Sequence, residues 1–201
     1  YSDIEGGESG ILISDNNTGV LNWGAGNIDG EPMFCAPGSD DFTIANNSPC
    51  VGSGQDGANM GALGVGCVLV YTWHVSNNGS DDNDGSQNSP FATIQYAINQ
   101  SEDGDAVLVS AGTYIENINY NGKNIVLQGE DRETTIIDGN QSGSVVIFNS
   151  GEDSTATLTG FTITNGYTGD EGGGVYIVNA SPRLSNLIVT SNNAQLSGGG
   201  I

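Results

Sequence analysis

Two seven-residue stretches near the C-terminus decide the fold. Residues 158–164 read LTGFTIT and residues 184–190 read LSNLIVT, so the apolar positions recur after 26 residues. The same interval carries the run GGGV at 172–175 onto the run GGGI at 198–201. A fixed period of this length is typical of a solenoid, in which each repeat buries its apolar face only against its neighbours.

Apolar residues alternate within each run, as strands with one buried face require. We predict that Ile137, Ile163 and Val189 stack in one interior column and that Phe161 and Leu187 form another. The residues between them are expected to face outward: Thr162, Thr164, Ile188 and Thr190. The sequence therefore predicts an all-β, right-handed parallel β-helix.

A helix is predicted at the N-terminal end of this tube. Residues 89–98 read SPFATIQYAI, with Ser89 at the N-cap and Pro90 at the first helical position. Phe91, Ile94 and Ile98 would share one face of the helix. That apolar face is suited to plugging the open end of the tube, so we expect a short capping helix.

The chain divides into two predicted parts. Residues 1–67 are interpreted as the last coil and C-terminal cap of one β-helix, 68–72 as a linker, and 73–201 as the N-terminal cap and first coils of the next. The chain opens in a strand-like run and stops after glycines. We therefore expect a fragment that spans the junction of two β-helix modules.

The charge balance excludes several classes of partner. Three basic residues stand against 24 acidic ones, for a net charge of −21. Nucleic acid is excluded because phosphate neutralisation needs Lys and Arg, and polyanionic glycans would be repelled. No apolar stretch approaches the roughly 18 residues of a membrane span, which excludes membrane insertion. The acidity favours either solubility in salty surroundings or cation binding.

Three cysteines lie in the first third of the chain, at positions 35, 50 and 67. We predict a disulfide between Cys35 and Cys50, which flank a hairpin-length stretch. A disulfide would indicate an oxidising compartment. Zinc is a weaker alternative, because there is no C-x-x-C pair and the single histidine, His74, is remote.

One acidic loop is a candidate calcium site. Residues 79–86 read GSDDNDGS, and the carboxylates of Asp81, Asp82 and Asp84 would be the ligands. The spacing of an EF-hand loop is absent. The alternative is a loop whose side chains hydrogen-bond their own backbone in Asx-turns.

Glycosylation sequons are frequent in this Asn-rich chain. Glycans on Asn16 or Asn78 would fit exposed loops. The other sequons are expected by chance: Asn46, Asn99, Asn140 and Asn179.

Several segments resemble secreted bacterial right-handed β-helix repeat proteins. The segments similar to the start of those proteins are WHVS at 73–76, GSDDNDGS at 79–86, PFATIQ at 90–95, GDAVLV at 104–109, GTY at 112–114 and IIDG at 136–139. The segments similar to their C-terminal end are SDIEGG at 2–7, GNID at 26–29 and SPC at 48–50. The resemblance implies a pectate-lyase-like fold and a secreted or cell-surface location. It implies no particular function.

Catalytic residues are hard to single out. A lyase would need a basic side chain to remove a proton and a positive charge to neutralise the carboxylate of its substrate. The three basic residues, Lys123, Arg132 and Arg183, are isolated in the sequence. Local ion pairing explains them better, such as a pair of Arg132 with Glu130 or Asp131.

A glycosidase would need one carboxylate pair across a cleft. Three pairs compete without a distinguishing feature: Asp103/Asp105, Glu152/Asp153 and Asp170/Glu171. His74 is expected to be structural. We predict that the protein is not an enzyme, with a polysaccharide lyase or hydrolase as the alternative.

Three functions remain open. The first is an extracellular structural module that stacks head to tail with copies of itself into a fibre, stalk or surface layer. The second is binding of neutral glycans through outward aromatic residues, for which we name Tyr114, Tyr120 and Tyr176. The third is action on a polysaccharide.

Overall fold

A computed structural model describes residues 27–60, 63–67 and 69–201. The chain falls into two compact units, Tyr1–Leu69 and Val70–Ile201. This division lies inside the segment 68–72 that the sequence predicts as a linker. No helix in the described segments is long and apolar enough to cross a bilayer.

The described part of the first unit contains one small mixed sheet. Its strands are β1 (Phe34–Ala36), β2 (Asp41–Ala45) and β3 (Val65–Cys67), with 3-10 helices at Pro37–Ser39 and Gln55–Gly57. β1 pairs antiparallel with β2, and β2 pairs parallel with β3. These residues do not themselves stack as parallel coils, so the assignment of 1–67 to the end of another β-helix stays a prediction.

The disulfide of this unit joins Cys35 to Cys67, with their Cα atoms 5.8 Å apart. The predicted Cys35–Cys50 pairing is therefore wrong. Cys35 and Cys67 belong to the same sheet, which brings them together across 32 residues of sequence. Cys50 lies in a turn, and its side chain is buried in a cluster with Ile44 and Met60.

The second unit consists of short strands that return to the same sheets once per coil. The first sheet contains β4 (Thr72–Val75), β5 (Ala106–Val109), β8 (Val126–Gly129), β11 (Thr157–Thr159) and β15 (Arg183–Ser185). The second contains β6 (Gly112–Ile115), β9 (Thr135–Asp138), β12 (Thr162–Thr164) and β16 (Ile188–Thr190). The third contains β7 (Ile118–Asn119), β10 (Val146–Phe148) and β14 (Val175–Ile177), and β13 (Tyr167–Thr168) pairs with β17 (Asn193–Ala194).

Every strand pair in these four sheets is parallel, and the coils lie in register. Ile163 stands between Ile137 and Val189, which confirms the predicted interior column. Phe161 is fully buried and Leu187 is partly buried against the same core. The alternation along β12 and β16 turns Thr162, Thr164, Ile188 and Thr190 outward, as predicted. The prediction of a parallel β-helix is confirmed.

The capping helix α1 spans Ile94–Gln100 and begins later than predicted. Phe91 is extended and bridges to Val75, so the chain is still strand-like after Pro90. Thr93 is the N-cap, and its hydroxyl accepts a hydrogen bond from the Tyr96 amide at 3.3 Å. The helix buries Ile94, Ala97 and Ile98 against the first coils, as expected of a plug.

Candidate functional site

Amide side chains cluster on the outer surface of the second unit, where α1 meets the third sheet. We call this surface the amide face, and it comprises Gln95, Asn99, Asn119, Asn121 and Asn149. Asn99 Oδ1 accepts hydrogen bonds from Gln95 Nε2 at 3.0 Å and from Asn121 Nδ2 at 3.4 Å. Asn119 Nδ2 donates to Asn149 Oδ1 at 3.5 Å. The network thus links the helix to two successive coils.

Gln95 extends the hydrogen bonding of the sheet beyond β7. Its Oε1 accepts from the Asn119 backbone N–H at 2.7 Å, and its Nε2 donates to the Asn119 carbonyl at 3.1 Å. The side-chain amide therefore pairs with β7 as a neighbouring strand would. This satisfies both backbone groups of a residue at the edge of the sheet.

Alternation along the chain places the amide face outside. Ile118 and Tyr120 are fully buried, whereas Asn119 lies between them and Asn121 follows, both on the opposite side. Asn119, Ile147 and Tyr176 then occupy one outward row across β7, β10 and β14. Since neighbouring strands lie about 4.8 Å apart, the row extends about 10 Å across the coils.

The outward row carries no charge, although the chain has 24 acidic residues. Amides both donate and accept hydrogen bonds, as sugar hydroxyls do. The Tyr176 side chain is partly exposed and combines an aromatic ring with a hydroxyl. A row of uncharged side chains beside exposed amides can therefore form hydrogen bonds and packing contacts with a neutral, hydroxyl-rich ligand.

The amide face was not among the sequence-based predictions. The available signal was the alternation of asparagine with buried residues over 117–121, NINYN. Of the three tyrosines named for an outer face, only Tyr176 lies outward. Tyr114 and Tyr120 are 3% and 0% exposed, and both belong to the core, so the prediction is wrong for them.

The predicted acidic pairs do not face one another across a cleft; most of their carboxylates accept backbone hydrogen bonds. Asp105 is fully buried and accepts from the Tyr71 amide at 2.6 Å and from the Trp73 indole N–H at 3.0 Å. Glu152 is also buried and accepts from the Gly122 amide of the preceding coil at 2.9 Å. Such bonds join consecutive coils, which gives much of the acidity a structural role.

The three basic residues also lie apart from one another. Lys123 donates to backbone carbonyls at the end of α1. Arg132 pairs with Glu133 at 3.5 Å, rather than with Glu130 or Asp131. Arg183 is exposed on β15.

The predicted calcium ligands do not converge. Asp81 accepts hydrogen bonds from the Thr93 amide and hydroxyl through both carboxylate oxygens. Asp84 accepts from the Ser86 amide at 2.9 Å, and this bond holds the pKa of its carboxyl below the usual range. Asp82 is exposed. The described segments contain no group of three or more His, Cys, Asp or Glu side chains placed to hold a metal ion.

The remaining predicted residues are placed as follows. His74 lies outward on β4, where its backbone pairs with Gly85 and Phe91. Asn78 is exposed in a turn, so its glycosylation stays a prediction. Asn16 lies outside the described residues.

Residues 77–121 match a family described as "Protein of unknown function (DUF1565)". The chain is also 34% identical over 71 residues to the uncharacterized protein YwoF of Bacillus subtilis (strain 168). This alignment covers 33% of the chain and 15% of the relative, so the chain spans a small part of that protein's length.

Two solved structures of similar fold are both of pectin methylesterases. One is a variant in complex with a hexasaccharide, with a TM-score of 0.47 and 16% identity, covering 65% of this chain and 47% of the other. The second, PemA of Erwinia chrysanthemi, has a TM-score of 0.38 and 17% identity, covering 59% of this chain and 47% of the other.

The prediction that the protein is not an enzyme is corrected by these two structures, because both neighbours are enzymes. At 16% and 17% sequence identity, the similarity to these two structures concerns the fold alone and assigns no activity to this chain. The matched family segment, 77–121, contains α1, the first complete coil from β5 to β7 and much of the amide face. By its own strand pairing, this chain is a parallel β-helix protein.

Proposed function

We propose that the second unit binds neutral glycans on the amide face and on the adjoining outward row of Asn119, Ile147 and Tyr176. The observation that carries the proposal is the uncharged row of Asn119, Ile147 and Tyr176 in a chain with a net charge of −21. A polyanionic glycan would be repelled by the chain as a whole, whereas an uncharged one would not. Hydroxyls of a neutral sugar can exchange hydrogen bonds with the exposed amides of Asn99, Asn121 and Asn149.

Order within the site supports this proposal. The amides already hold one another through side-chain hydrogen bonds, so binding would immobilise few additional rotamers. The outward row of Asn119, Ile147 and Tyr176 lies on β-strands, which favours a fixed spacing of its side chains. We expect a bound glycan to run across the strands, along the axis of the tube.

The test is a titration of the whole chain with neutral and acidic oligosaccharides, including methyl-esterified and de-esterified oligogalacturonides. The neutral members should bind and the acidic ones should not. Tyr176→Ala should weaken binding roughly three- to tenfold, as expected for loss of an aromatic contact. Asn149→Ala should weaken it as well.

Gln128→Ala is the matched control, because Gln128 is an exposed amide that faces outward on β8, in a different sheet. It should bind as the wild type does. The proposal fails if no neutral glycan binds, or if Tyr176→Ala and Asn149→Ala bind as tightly as the control. Mass spectrometry of the recovered glycan would show whether the protein also alters it.

We also propose that the protein is located outside the cytoplasm. The Cys35–Cys67 disulfide supports this, because such bonds persist in oxidising compartments. Fractionation of the native host with an antibody tests the proposal. Recovery in the cytoplasmic fraction with both thiols reduced would overturn it.

Head-to-tail assembly into a fibre, stalk or surface layer stays a separate proposal. Its basis is the solenoid itself, since each coil buries its apolar face only against neighbouring coils. Electron microscopy of the purified chain, with and without chelator, tests it. Uniform filaments would support assembly, and separate short rods at high concentration would count against it.

A further inference from the structure

The hydrogen bonds within the amide face occupy nearly all of its amide oxygens. Gln95 Oε1 accepts from the Asn119 backbone N–H, and Asn99 Oδ1 accepts from two side chains. Asn119 Oδ1 accepts from the Asn121 backbone N–H at 2.8 Å, and Asn149 Oδ1 accepts from Asn119 Nδ2. Within the described segments, Asn121 Oδ1 is the one oxygen of these five amides that accepts no hydrogen bond.

The amide nitrogens of the same face are used less fully. Gln95 Nε2 donates twice, at 3.0 and 3.1 Å, and Asn121 Nδ2 donates to Asn99 Oδ1 at 3.4 Å. The Nδ2 groups of Asn99 and Asn149 donate to no atom in the part of the chain that the structure describes, and both side chains are exposed. Two amide donors and one amide acceptor are therefore open to a ligand.

This balance of free groups favours a ligand that is rich in acceptors. A carbonyl oxygen can accept two hydrogen bonds and brings no hydrogen that needs an acceptor of its own. A sugar hydroxyl brings one hydrogen with each oxygen, and among the described amides of the face only Asn121 Oδ1 is left to receive it. A neutral sugar that carries carbonyl groups therefore matches the face better than one that carries hydroxyls alone.

We propose that the amide face recognises N-acetylated amino sugars through their acetamido groups. The inference rests on the proposed function and names the class of neutral glycan. The acetamido carbonyl accepts from the free Nδ2 of Asn99, and an acetamido N–H donates to Oδ1 of Asn121, which its own hydrogen bond holds beside Asn99. An ester carbonyl would lack this donor. The acetamido group is also uncharged, so the net charge of −21 does not repel it.

The methyl part of an acetamido group also has an apolar neighbour. Ile147 lies beside Asn119 in the outward row, on the adjacent strand of the third sheet, and its side chain is partly exposed. Contact between the methyl group and Ile147 would remove apolar surface from water. A hydroxyl at the same position of the sugar cannot provide this gain.

Calorimetric titration of the whole chain with two series of oligosaccharides tests the inference. Oligomers of N-acetylglucosamine and of glucose, with the same linkage and length, differ only in carrying an acetamido group or a hydroxyl at one carbon of each sugar. We expect the N-acetylglucosamine series to bind about three- to tenfold more tightly, as one additional hydrogen bond predicts. This comparison uses the wild type and does not depend on the folding of any variant.

Asn99→Asp then locates the preference. It replaces the free NH₂ group by an oxygen and keeps an oxygen for the hydrogen bonds from Gln95 and Asn121. Binding of the N-acetylglucosamine series should weaken to the level of the glucose series. Gln100→Glu is the matched control, because it adds the same charge at the next position, which is also exposed. It should keep the preference.

The outcomes separate the inference from the proposed function. If the glucose series binds the wild type as tightly, or if Asn99→Asp weakens both series equally, the acetamido assignment is overturned and glycan binding by the amide face stands. If neither series nor any other neutral oligosaccharide binds, the proposed function is overturned and the inference with it. Loss of the preference in Asn99→Asp, but not in Gln100→Glu, would establish the acetamido site.

Discussion

Asp81 and Glu116 together accept four consecutive backbone amides at the start of the capping helix, two before its first residue and two from its first turn. The Asp81 carboxylate accepts the backbone N–H groups of residues 92 and 93, at 2.9 and 3.0 Å. The Glu116 carboxylate accepts those of residues 94 and 95, both at 2.9 Å. Asp81 lies before the helix in the sequence, and Glu116 lies after it, directly following β6. Hydrogen bonds to two separate segments of the chain therefore fix the start of α1. Carboxylates are also favoured there by the helix dipole.

The first prediction concerns the pH dependence of Glu116. Burial raises the pKa of the Glu116 carboxyl, the two backbone amides oppose the rise, and the nearby Asp81 charge adds to it. The folded protein therefore holds this proton at pH values where the unfolded chain, with a glutamate pKa of about 4.3, has released it. As pH rises from the glutamate pKa of the unfolded chain through the raised pKa of Glu116 in the folded protein, the contribution of Glu116 to the free energy of unfolding falls.

Glu116→Gln removes this titration. The free energy of unfolding of the variant, minus that of the wild type, should rise as pH increases from about 4.3 through the raised pKa of Glu116. Urea denaturation at a series of pH values measures the difference. A flat difference for Glu116→Gln would contradict the prediction.

The second prediction concerns the other end of α1, where the single lysine replaces the missing helical hydrogen-bond donors. Lys123 Nζ donates to the carbonyls of Ile98, Asn99 and Ser101 at 2.8, 2.7 and 2.6 Å. Charged hydrogen bonds contribute about 1.5–3 kcal/mol, and a cation is favoured at the end of a helix. We expect Lys123→Met to lower the free energy of unfolding by about this amount.

Arg183→Met is the matched control for Lys123→Met. It removes the same charge from an exposed strand position and should change the free energy of unfolding by less than about 0.5 kcal/mol. Equal losses in the two variants would show that net charge, rather than the hydrogen bonds of Lys123, determines the effect. Hydrogen exchange should locate the loss in α1.

The strands of the coils could be predicted from the sequence because the same pattern of apolar residues recurs in each coil, and equivalent residues stack in the structure. Ile137, Ile163 and Val189 could be aligned without knowing the turns between them, since each interval contains the same pattern of strand and glycine. The start of α1 was misplaced for a tertiary reason. Phe91 satisfies the sequence rules for a first helical turn, but its pairing with Val75 holds it extended.

The amide face could not be predicted in the same way. Gln95 and Asn119 meet because α1 packs against the first complete coil, and the two residues are 24 positions apart in the sequence. Asn119 and Asn149 meet because β7 and β10 are neighbours in the third sheet, to which the chain returns after 30 residues. Neither interval equals the 26-residue repeat. Hydrogen bonds of this kind depend on turn lengths that composition and periodicity do not fix.

The third prediction concerns calcium. An ion bound by the loop at 79–86 would have to displace hydrogen bonds that Asp81 and Asp84 already make to the backbone. We therefore expect millimolar calcium to leave the melting temperature unchanged, since a ligand of the folded state alone would raise it. A rise that disappears in Asp82→Asn would restore the loop as a calcium site. Magnesium at equal ionic strength controls for charge screening.

The fourth prediction concerns high pH. Burial raises the pKa of Tyr114 to about 12, and burial also raises the pKa of Tyr120. Both phenols keep their protons in the folded state at pH values where an ordinary tyrosine, with a pKa of about 10, has ionised. Protein stability should therefore fall as pH rises above about 10.

Tyr114→Phe tests this reasoning. At neutral pH the variant should lose about 0.5–1.5 kcal/mol, because the Tyr114 hydroxyl donates to the Ser110 carbonyl at 2.9 Å. Above about pH 10 the deficit should shrink, since phenylalanine cannot ionise. Denaturation curves at neutral and alkaline pH measure both effects. A deficit that stays constant would contradict the assigned pKa.

The fifth prediction distinguishes the two disulfide pairings. Cys35–Cys67 closes a loop with a sequence separation of 32 residues. Loop-closure entropy then predicts that Cys67→Ser costs the first unit about 3–4 kcal/mol. Cys35→Ser should cost the same amount, because either change removes the same bond. Peptide mapping without reduction should recover the peptides of Cys35 and Cys67 joined. Recovery of the Cys35 peptide joined to that of Cys50 would instead support the pairing predicted from the short distance between these residues in the sequence. In that case Cys67→Ser would leave the disulfide intact.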